Sequence, residues 1–230
     1  MVARSVLVTG GSGGLGGAVV GAFVEAGWRV VVPERTARPG SEPAADQLVR
    51  LVADLTEPEG AARAVQAAAD APAAPLRAVV NLAGGYASGG LVHETPVADF
   101  ERMLTVNLRP TYLVTQAALP HLVAAGGGAV VCVAARAAIT PFPGAAGYVT
   151  AKAAVLALAN AVAVEYRSHN VRCNTVLPSV IDTPANRAAQ PDADHSRWVA
   201  PAEIASVIRF LASADSAPTS GATVPVYGRA

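Results

Sequence analysis

The sequence predicts an α/β protein in which helices cover both faces of a parallel β-sheet. The chain has 230 residues, 52% of them hydrophobic, which is enough to form a large core. Short, β-branched apolar runs alternate with longer alanine-rich stretches of helical spacing, a pattern typical of right-handed βαβ units. The first six apolar runs are too hydrophobic for a sheet with one face in water. We therefore expect one doubly wound domain over residues 1–230.

The predicted elements follow one another in alternation along the chain. The strands are the seven apolar runs at 5–9, 29–33, 49–53, 77–83, 129–135, 171–177 and 222–227. The helices are the stretches at 14–27, 57–70, 97–107, 109–125, 145–168 and 201–214. Together they predict a sheet of about seven strands with helices on both faces.

Composition excludes several classes of partner. Basic and acidic residues number 17 each and charged residues are only 15% of the chain, so neither nucleic acid nor an anionic membrane is expected to bind. Cys132 and Cys173 lie in apolar runs, which predicts buried thiols. No metal site is expected, because the four histidines have no ligand spacing: His93, His121, His169 and His195. Thr9 and several glycines interrupt the N-terminal apolar run, and no membrane span is expected. We expect a cytoplasmic protein with a small-molecule substrate.

A glycine-rich segment, TGGSGGLG at 9–16, follows the first predicted strand directly. Glycines allow a sharp turn and let the backbone approach a pyrophosphate, and the next helix directs its N-terminal amides at it. A flexible turn is the alternative for such a string alone. Its position between a buried strand and a helix favours a dinucleotide site in a Rossmann-like domain.

Glu34 lies at the end of the second predicted strand, 18 residues after Gly16. A carboxylate at that distance can accept hydrogen bonds from an adenosine ribose, which favours NAD as the cofactor. Arg35 and Arg38 follow at once. Either arginine could instead bind the 2′-phosphate of NADP or be a solvated surface charge, so NADP stays open.

Further motifs join this segment: Asp54 after the third strand, NLAG at 81–84, Asn107, and Tyr-x-x-x-Lys at Tyr148 and Lys152. With these motifs the chain resembles the short-chain dehydrogenase/reductases over essentially its full length. The resemblance implies that Tyr148 exchanges a proton with the substrate oxygen, while Lys152 lowers the tyrosine pKa and binds the nicotinamide ribose. Independently, residues i and i+4 share a helix face, and a nearby ammonium favours the phenolate. Tyr148 is then expected to act near neutral pH.

The resemblance implies further roles along the same cleft. Asn107 would hold a water between Lys152 and solvent, Asp54 would contact adenine, and Thr183 would reach the nicotinamide amide or a phosphate. The alternatives are a turn cap for Asn107, an N-cap for Asp54 and a helix start for Thr183. The expected cofactor contacts are Thr9, Gly10, Ser12, Gly14, Leu15, Gly16, Glu34, Arg35, Asp54, Leu55, Asn81, Ala83, Gly84, Tyr148, Lys152, Pro178 and Thr183.

Ala135 departs from the family pattern, which usually has a serine thirteen residues before the tyrosine. Loss of such a hydrogen-bond donor costs a carbonyl reaction about 3 to 4 kcal/mol. Thr140 is the nearest downstream hydroxyl, and the sequence leaves its place open. Either another group replaces the serine or the substrate does not need it.

A subgroup without that serine, the quinonoid dihydropteridine reductases, is similar at AGGYASGG (83–90) and DTPANRAAQPDADHSRW (182–198). Its substrate is an electron-poor ring that accepts hydride. This resemblance implies that Tyr86 and Trp198 stack on a flat ring, with Asn186 and Arg187 at its polar edge. Ordinary packing of both aromatic side chains is the alternative.

Two other functions remain open. One is a ketone or 3-oxoacyl reductase in which another donor replaces the serine. The other is a non-catalytic dinucleotide-binding sensor, although such a protein has no need for a tyrosine of low pKa. The family resemblance also implies a homodimer or homotetramer formed through the helices at 97–125 and 145–168. Burial of these helices within one chain is the alternative.

Overall fold

The computed structural model describes residues 4–37 and 47–229. Seven parallel strands form one sheet in the order β3-β2-β1-β4-β5-β6-β7. Their bounds are β1 Ser5–Thr9, β2 Arg29–Glu34, β3 Leu48–Val52, β4 Leu76–Asn81, β5 Gly128–Val133, β6 Val171–Pro178 and β7 Thr223–Val226. The predicted fold class is confirmed: a Rossmann-like sheet with helices on both faces. Arg38 lies outside the described residues.

Six of the helices correspond to the predicted ones. Their bounds are α1 Gly16–Glu25, α2 Pro58–Ala69, α3 Val97–Asn107, α4 Arg109–Ala124, α5 Ala146–Glu165 and α7 Pro201–Ala212. The short helix α6 Pro184–Ala189 begins after Thr183, as the alternative for that residue predicted. β4 ends at Asn81 rather than residue 83, because the backbone N–H groups of Leu82 and Ala83 donate to the Thr9 hydroxyl instead of to a strand.

Two apolar clusters form the core, one on each face of the sheet. Leu7 on β1 faces the cluster made with α2, α4 and α5, whereas Val6 and Val8 face the cluster made with α1 and α7. This alternation follows from the two-residue period of a strand. Both cysteines are free and buried, as predicted. Among the described helices, only α5 has the length and apolar composition of a membrane span, and Val155 on it is buried in the first cluster.

β3 is an exception to the prediction that helices cover both faces of the first six strands. It lies at the edge of the sheet, and Val52 at its end is exposed. Val49 and Leu51 pack on the cluster that includes α2, while the intervening Arg50 turns to Glu34 on β2. An edge strand has only one neighbour, so its burial is less complete.

Replacing Phe23 tests the core that α1 forms on one face of the sheet. Phe23 is fully buried, and its ring meets Trp28 edge-on with centroids 5.2 Å apart. We expect Phe23→Ala to lower the free energy of unfolding by about 3 to 5 kcal/mol, because it leaves a cavity. Val97→Ala, at a side chain 71% exposed, is the control and should change it by about 0.5 kcal/mol or less. Chemical denaturation followed by circular dichroism measures both, and equal losses would contradict the assigned core.

Candidate active site

A cleft of about 560 Å³ runs along the carboxyl ends of the strands. It opens where β1 and β4 lie side by side and the chain order of the sheet reverses, the usual ligand position in such folds. Most of the predicted site residues line it: Gly10, Ser12, Gly14, Leu15, Gly16, Glu34, Arg35, Asp54, Leu55, Ala83, Gly84, Tyr86, Asn107, Ala135, Tyr148, Lys152 and Pro178. The sequence analysis missed others, including Gly85, Val106, Ser179 and Ile181. Gly85 could have been found, since it directly follows the NLAG motif.

The glycine-rich loop forms one wall of this cleft, and side chains would not fit at several of its glycines. Gly10 has φ +65°, and a Cβ on it would lie 2.9 Å from the Ala83 nitrogen. A Cβ on Gly11 would lie 2.7 Å from Val32 on β2, and one on Gly16 would overlap the Gly10 carbonyl oxygen. The loop therefore packs closely against the sheet, and its backbone lies at the N-terminus of α1 with no side chains at these glycines. Such a surface is suited to a phosphate group.

Two carboxylates line the cleft near β2 and β3. Glu34 is 6% exposed and accepts a charged hydrogen bond from Arg50 at 2.7 Å. The Asp54 carboxylate accepts hydrogen bonds from the hydroxyl of Thr56 at 2.7 Å and from its backbone N–H at 2.9 Å. These bonds, and more weakly the charge of Arg35, lower the pKa of Asp54. Both groups are therefore fixed acceptors.

Three predicted cofactor contacts lie outside the cleft lining. The Thr9 hydroxyl is buried and accepts from the backbone N–H groups of Leu82 and Ala83, both at 3.0 Å. Asn81 is also buried and donates to the Thr115 hydroxyl at 3.0 Å. Thr183 accepts from the backbone N–H of Asn186 as the N-cap of α6, and its methyl group packs against Gly14. These side chains stabilise the segments that form the cleft wall and do not line the cleft themselves.

Asn107 joins the end of α3 to the loop that follows β4. Its side-chain amide donates to the carbonyl oxygens of Met103 and Gly85, both at 3.0 Å, and its oxygen accepts from the Gly85 N–H at 3.1 Å. A Cβ on Gly84 would lie 2.5 Å from that oxygen and 3.3 Å from the Lys152 Nζ. Asn107 therefore fixes the loop after β4 beside the lysine, consistent with its predicted place in the site.

Tyr148 and Lys152 lie on the first turns of α5. The Lys152 ammonium is buried, donates to the Val133 carbonyl oxygen at 3.1 Å and lies 5.9 Å from the centre of the Tyr148 ring. Tyr86 meets the Tyr148 ring edge-on, with centroids 5.1 Å apart and an interplanar angle of 88°.

Burial controls the protonation of both groups. It raises the pKa of Tyr148 to about 12, with a smaller contribution from Tyr86, and lowers the pKa of Lys152 to about 8. The family resemblance implies that Lys152 lowers the pKa of Tyr148, whereas burial raises that pKa in the protein on its own. Tyr148 is a neutral phenol at pH 7 and can donate a proton.

Three residues predicted to contact the substrate instead contact neighbours within residues 181–198. Arg187 forms a bidentate ion pair with Asp182 at 2.5 and 2.8 Å. Asn186 donates to the Ile181 carbonyl oxygen at 2.8 Å, and the Trp198 ring lies 4.3 Å from the ring of His195. None of Asn186, Arg187 and Trp198 lines the cleft, because nearer partners within the segment satisfy them. Tyr86 and Ala135 do line it.

The titration of Lys152 tests this burial directly, since it is the only lysine in the sequence. Protein labelled with ¹³C at lysine Cε should give one side-chain resonance with a midpoint at about 8, not the ordinary 10.5. At low pH the folded protein must bury a charged ammonium, which lowers its free energy of unfolding. Between about 8 and 10.5 the folded protein has lost this proton while the unfolded chain still holds it, so the free energy of unfolding rises with pH. The urea-unfolded chain is the control and should titrate normally. A folded-state midpoint near 10.5 would contradict the buried ammonium.

Comparison with known proteins agrees with this geometry. The short chain dehydrogenase family model matches residues 4–194. The 2-(R)-hydroxypropyl-CoM dehydrogenase of Xanthobacter autotrophicus is 34% identical over 99% of this chain and 98% of its own length. The 3-oxoacyl-[acyl-carrier-protein] reductase MabA of Mycobacterium bovis is 32% identical over 99% and 92%. A solved structure of ElxO with NADP bound has a TM-score of 0.90 at 25% identity, covering 98% of this chain and 97% of that one. The chain belongs to the short-chain dehydrogenase/reductase family and is an NAD(P)-dependent oxidoreductase.

Proposed function

We propose that the protein transfers hydride between a nicotinamide cofactor and a ketone or secondary alcohol, with Tyr148 moving the proton. The observation that carries this proposal is the neutral Tyr148 phenol beside the buried Lys152 ammonium, in a cleft whose far wall is the glycine-rich loop. Two relatives support the substrate class, since one is named for a hydroxypropyl substrate and the other for a 3-oxoacyl substrate.

The residues that line the cleft fit a nicotinamide dinucleotide. The bare backbone at Gly10 and Gly16, where side chains would clash, accommodates the pyrophosphate at the start of α1. Glu34 and Asp54 supply acceptors for the adenosine half, and Lys152 lies at the other end of the cleft. When bound there, the cofactor supplies or accepts the hydride.

The protein's own residues perform the proton chemistry. In the reductive direction the Tyr148 phenol gives its proton to the substrate oxygen and becomes a phenolate. Lys152 is mostly protonated at pH 7, because its pKa is about 8, and its charge stabilises that phenolate. Asn107 holds the loop at Gly85 against the lysine, on the route by which the family resemblance implies that a proton returns from solvent.

A second candidate reaction is reduction of an electron-poor ring such as a quinonoid dihydropterin. Ala135 favours it, because a ring that accepts hydride does not require a second hydroxyl at a carbonyl oxygen. Trp198, Asn186 and Arg187 do not contribute to the cleft lining, so the support comes from Ala135 and from Tyr86 at the cleft.

For the cofactor we propose NAD before NADP. The Glu34 carboxylate at the end of β2 disfavours a 2′-phosphate by repulsion, although Arg50 neutralises part of its charge. Arg35 also lines the cleft, and the ElxO relative has NADP bound, which support NADP. We further propose a homodimer or homotetramer, for which Val164 on α5 offers exposed apolar surface.

Replacing Tyr148 tests the reaction. Purified protein is mixed with NADH or NADPH and a panel of ketones, β-keto esters and quinonoid dihydropterin, and loss of nicotinamide absorbance is followed. We expect ketone or β-keto ester turnover that Tyr148→Phe lowers by about 10²–10⁴-fold, because the proton donor is lost. Tyr112→Phe, on the exposed face of α4, is the matched control and should keep full activity.

The same assay separates the alternatives. Turnover confined to the pterin would replace the ketone proposal with the ring proposal. Cofactor binding without turnover of any of these compounds would contradict both substrate proposals.

Replacing Glu34 tests the choice of cofactor. We expect Glu34→Gln to improve binding of NADPH relative to NADH by about tenfold, or roughly 1.4 kcal/mol, because it removes the charge repulsion. Dissociation constants from quenching of protein fluorescence give the ratio. Glu59→Gln, an exposed carboxylate on α2 outside the cleft, should leave the ratio unchanged. A wild type that already prefers NADPH would refute the assignment of Glu34 to the ribose.

A further inference from the structure

Because residue 135 is alanine, the site lacks the second hydrogen-bond donor that the family serine would give to the substrate oxygen. Ala135 is buried and lines the cleft on the side of β5. A methyl group cannot donate a hydrogen bond, so Tyr148 would be the sole donor to a ketone oxygen unless another hydroxyl reaches it. Thr140, the nearest downstream hydroxyl, is exposed and does not line the cleft. A replacement must therefore come from a different segment.

Four other hydroxyl-bearing residues line the cleft: Ser12, Thr56, Tyr86 and Ser179. Ser12 belongs to the glycine-rich loop, and Thr56 donates to Asp54 in the adenosine half. The Ser179 hydroxyl donates its proton to the Tyr227 carbonyl oxygen at 2.6 Å. Among the described residues, this leaves Tyr86 as the hydroxyl-bearing side chain that packs against Tyr148.

Two sets of contacts position Tyr86, one at the backbone of its neighbour and one at its own ring. Its neighbour Gly85 exchanges two hydrogen bonds with the Asn107 side chain, at 3.1 and 3.0 Å. Its ring lies perpendicular to the Tyr148 ring, with centroids 5.1 Å apart. The side chain is 60% exposed, so it stands at the mouth of the cleft, where substrate enters. Burial is the main cause of the raised pKa of Tyr148, and the charge of Tyr86 adds to it.

We propose that the Tyr86 hydroxyl is the second hydrogen-bond donor to the substrate oxygen, in the role that Ala135 cannot fill. This inference rests on the proposed ketone chemistry at Tyr148. As hydride adds to the carbonyl carbon, the C=O π electrons move to oxygen, which takes its proton from Tyr148. Tyr86 donates a hydrogen bond to that oxygen and keeps its own proton. Tyr148 is left as the phenolate and is reprotonated from solvent by way of Lys152.

A double-mutant cycle between Tyr86 and Ala135 tests this role. With the ketone or β-keto ester that the wild type turns over, we expect Tyr86→Phe to lower kcat by about 10²–10³-fold, the usual effect of losing one such donor. NADH affinity should be retained. Ala135→Ser should restore much of the rate in the Tyr86→Phe background and raise it far less in the wild type, since one donor then suffices. Tyr112→Phe serves as the control for loss of a tyrosine hydroxyl.

The outcomes distinguish this inference from the proposed function. If Tyr148→Phe is inactive while Tyr86→Phe keeps its kcat, the reaction stands and the role of Tyr86 is refuted. Equal effects of Ala135→Ser in both backgrounds would refute it as well.

A wild type that turns over no ketone would refute the proposed function, and with it the role of Tyr86, which rests on that reaction. That outcome differs from loss of the Tyr86 role alone, in which the wild type and Tyr86→Phe turn over the ketone equally well.

Discussion

The hydrogen bonds from the backbone N–H groups of Leu82 and Ala83 to the Thr9 hydroxyl determine the shape of the cleft. They join the ends of β1 and β4, the two strands at which the chain order reverses. Because they end β4 at Asn81, the next residues leave the sheet against Gly10, where no side chain fits. The same turn carries Gly84 and Gly85 to Asn107 and brings Tyr86 to Tyr148. One buried hydroxyl thus positions both the cofactor wall and the substrate side.

Lys152 is the only lysine among the 17 basic residues, and it is buried at the Tyr148 end of the cleft. An arginine could not serve there, since its guanidinium keeps its charge at any physiological pH. Burial that holds the lysine pKa at about 8 lets the group give up and regain a proton near neutrality. The Val133 carbonyl oxygen compensates part of the desolvation cost through its hydrogen bond.

The sequence predicted the features that depend on chain order and periodicity, and it failed where local partners compete. Strand and helix alternation determine the sheet, and residues at strand ends such as Glu34 and Asp54 necessarily meet at one edge. Arg187 shows the limit, because Asp182 lies five residues away and forms a bidentate pair that no spacing rule reveals. The pKa of Tyr148 shows the same limit: burial is the main cause of its rise, and the depth of burial comes from packing that the spacing of Tyr148 and Lys152 does not reveal.

The contrast in exposure across the cleft explains why the serine position can change while the tyrosine and lysine positions remain filled. Lys152 is only 7% exposed and fixed to a strand carbonyl group, whereas Tyr86 is 60% exposed on a loop. A group that returns protons must stay at a fixed distance from the phenol. A hydrogen-bond donor to the substrate oxygen must only reach that oxygen, which more than one segment of the cleft can do. Ala135 after β5 and Tyr86 after β4 line the same cleft as the phenol, so a donor lost from one segment can be supplied from the other without moving the proton pathway.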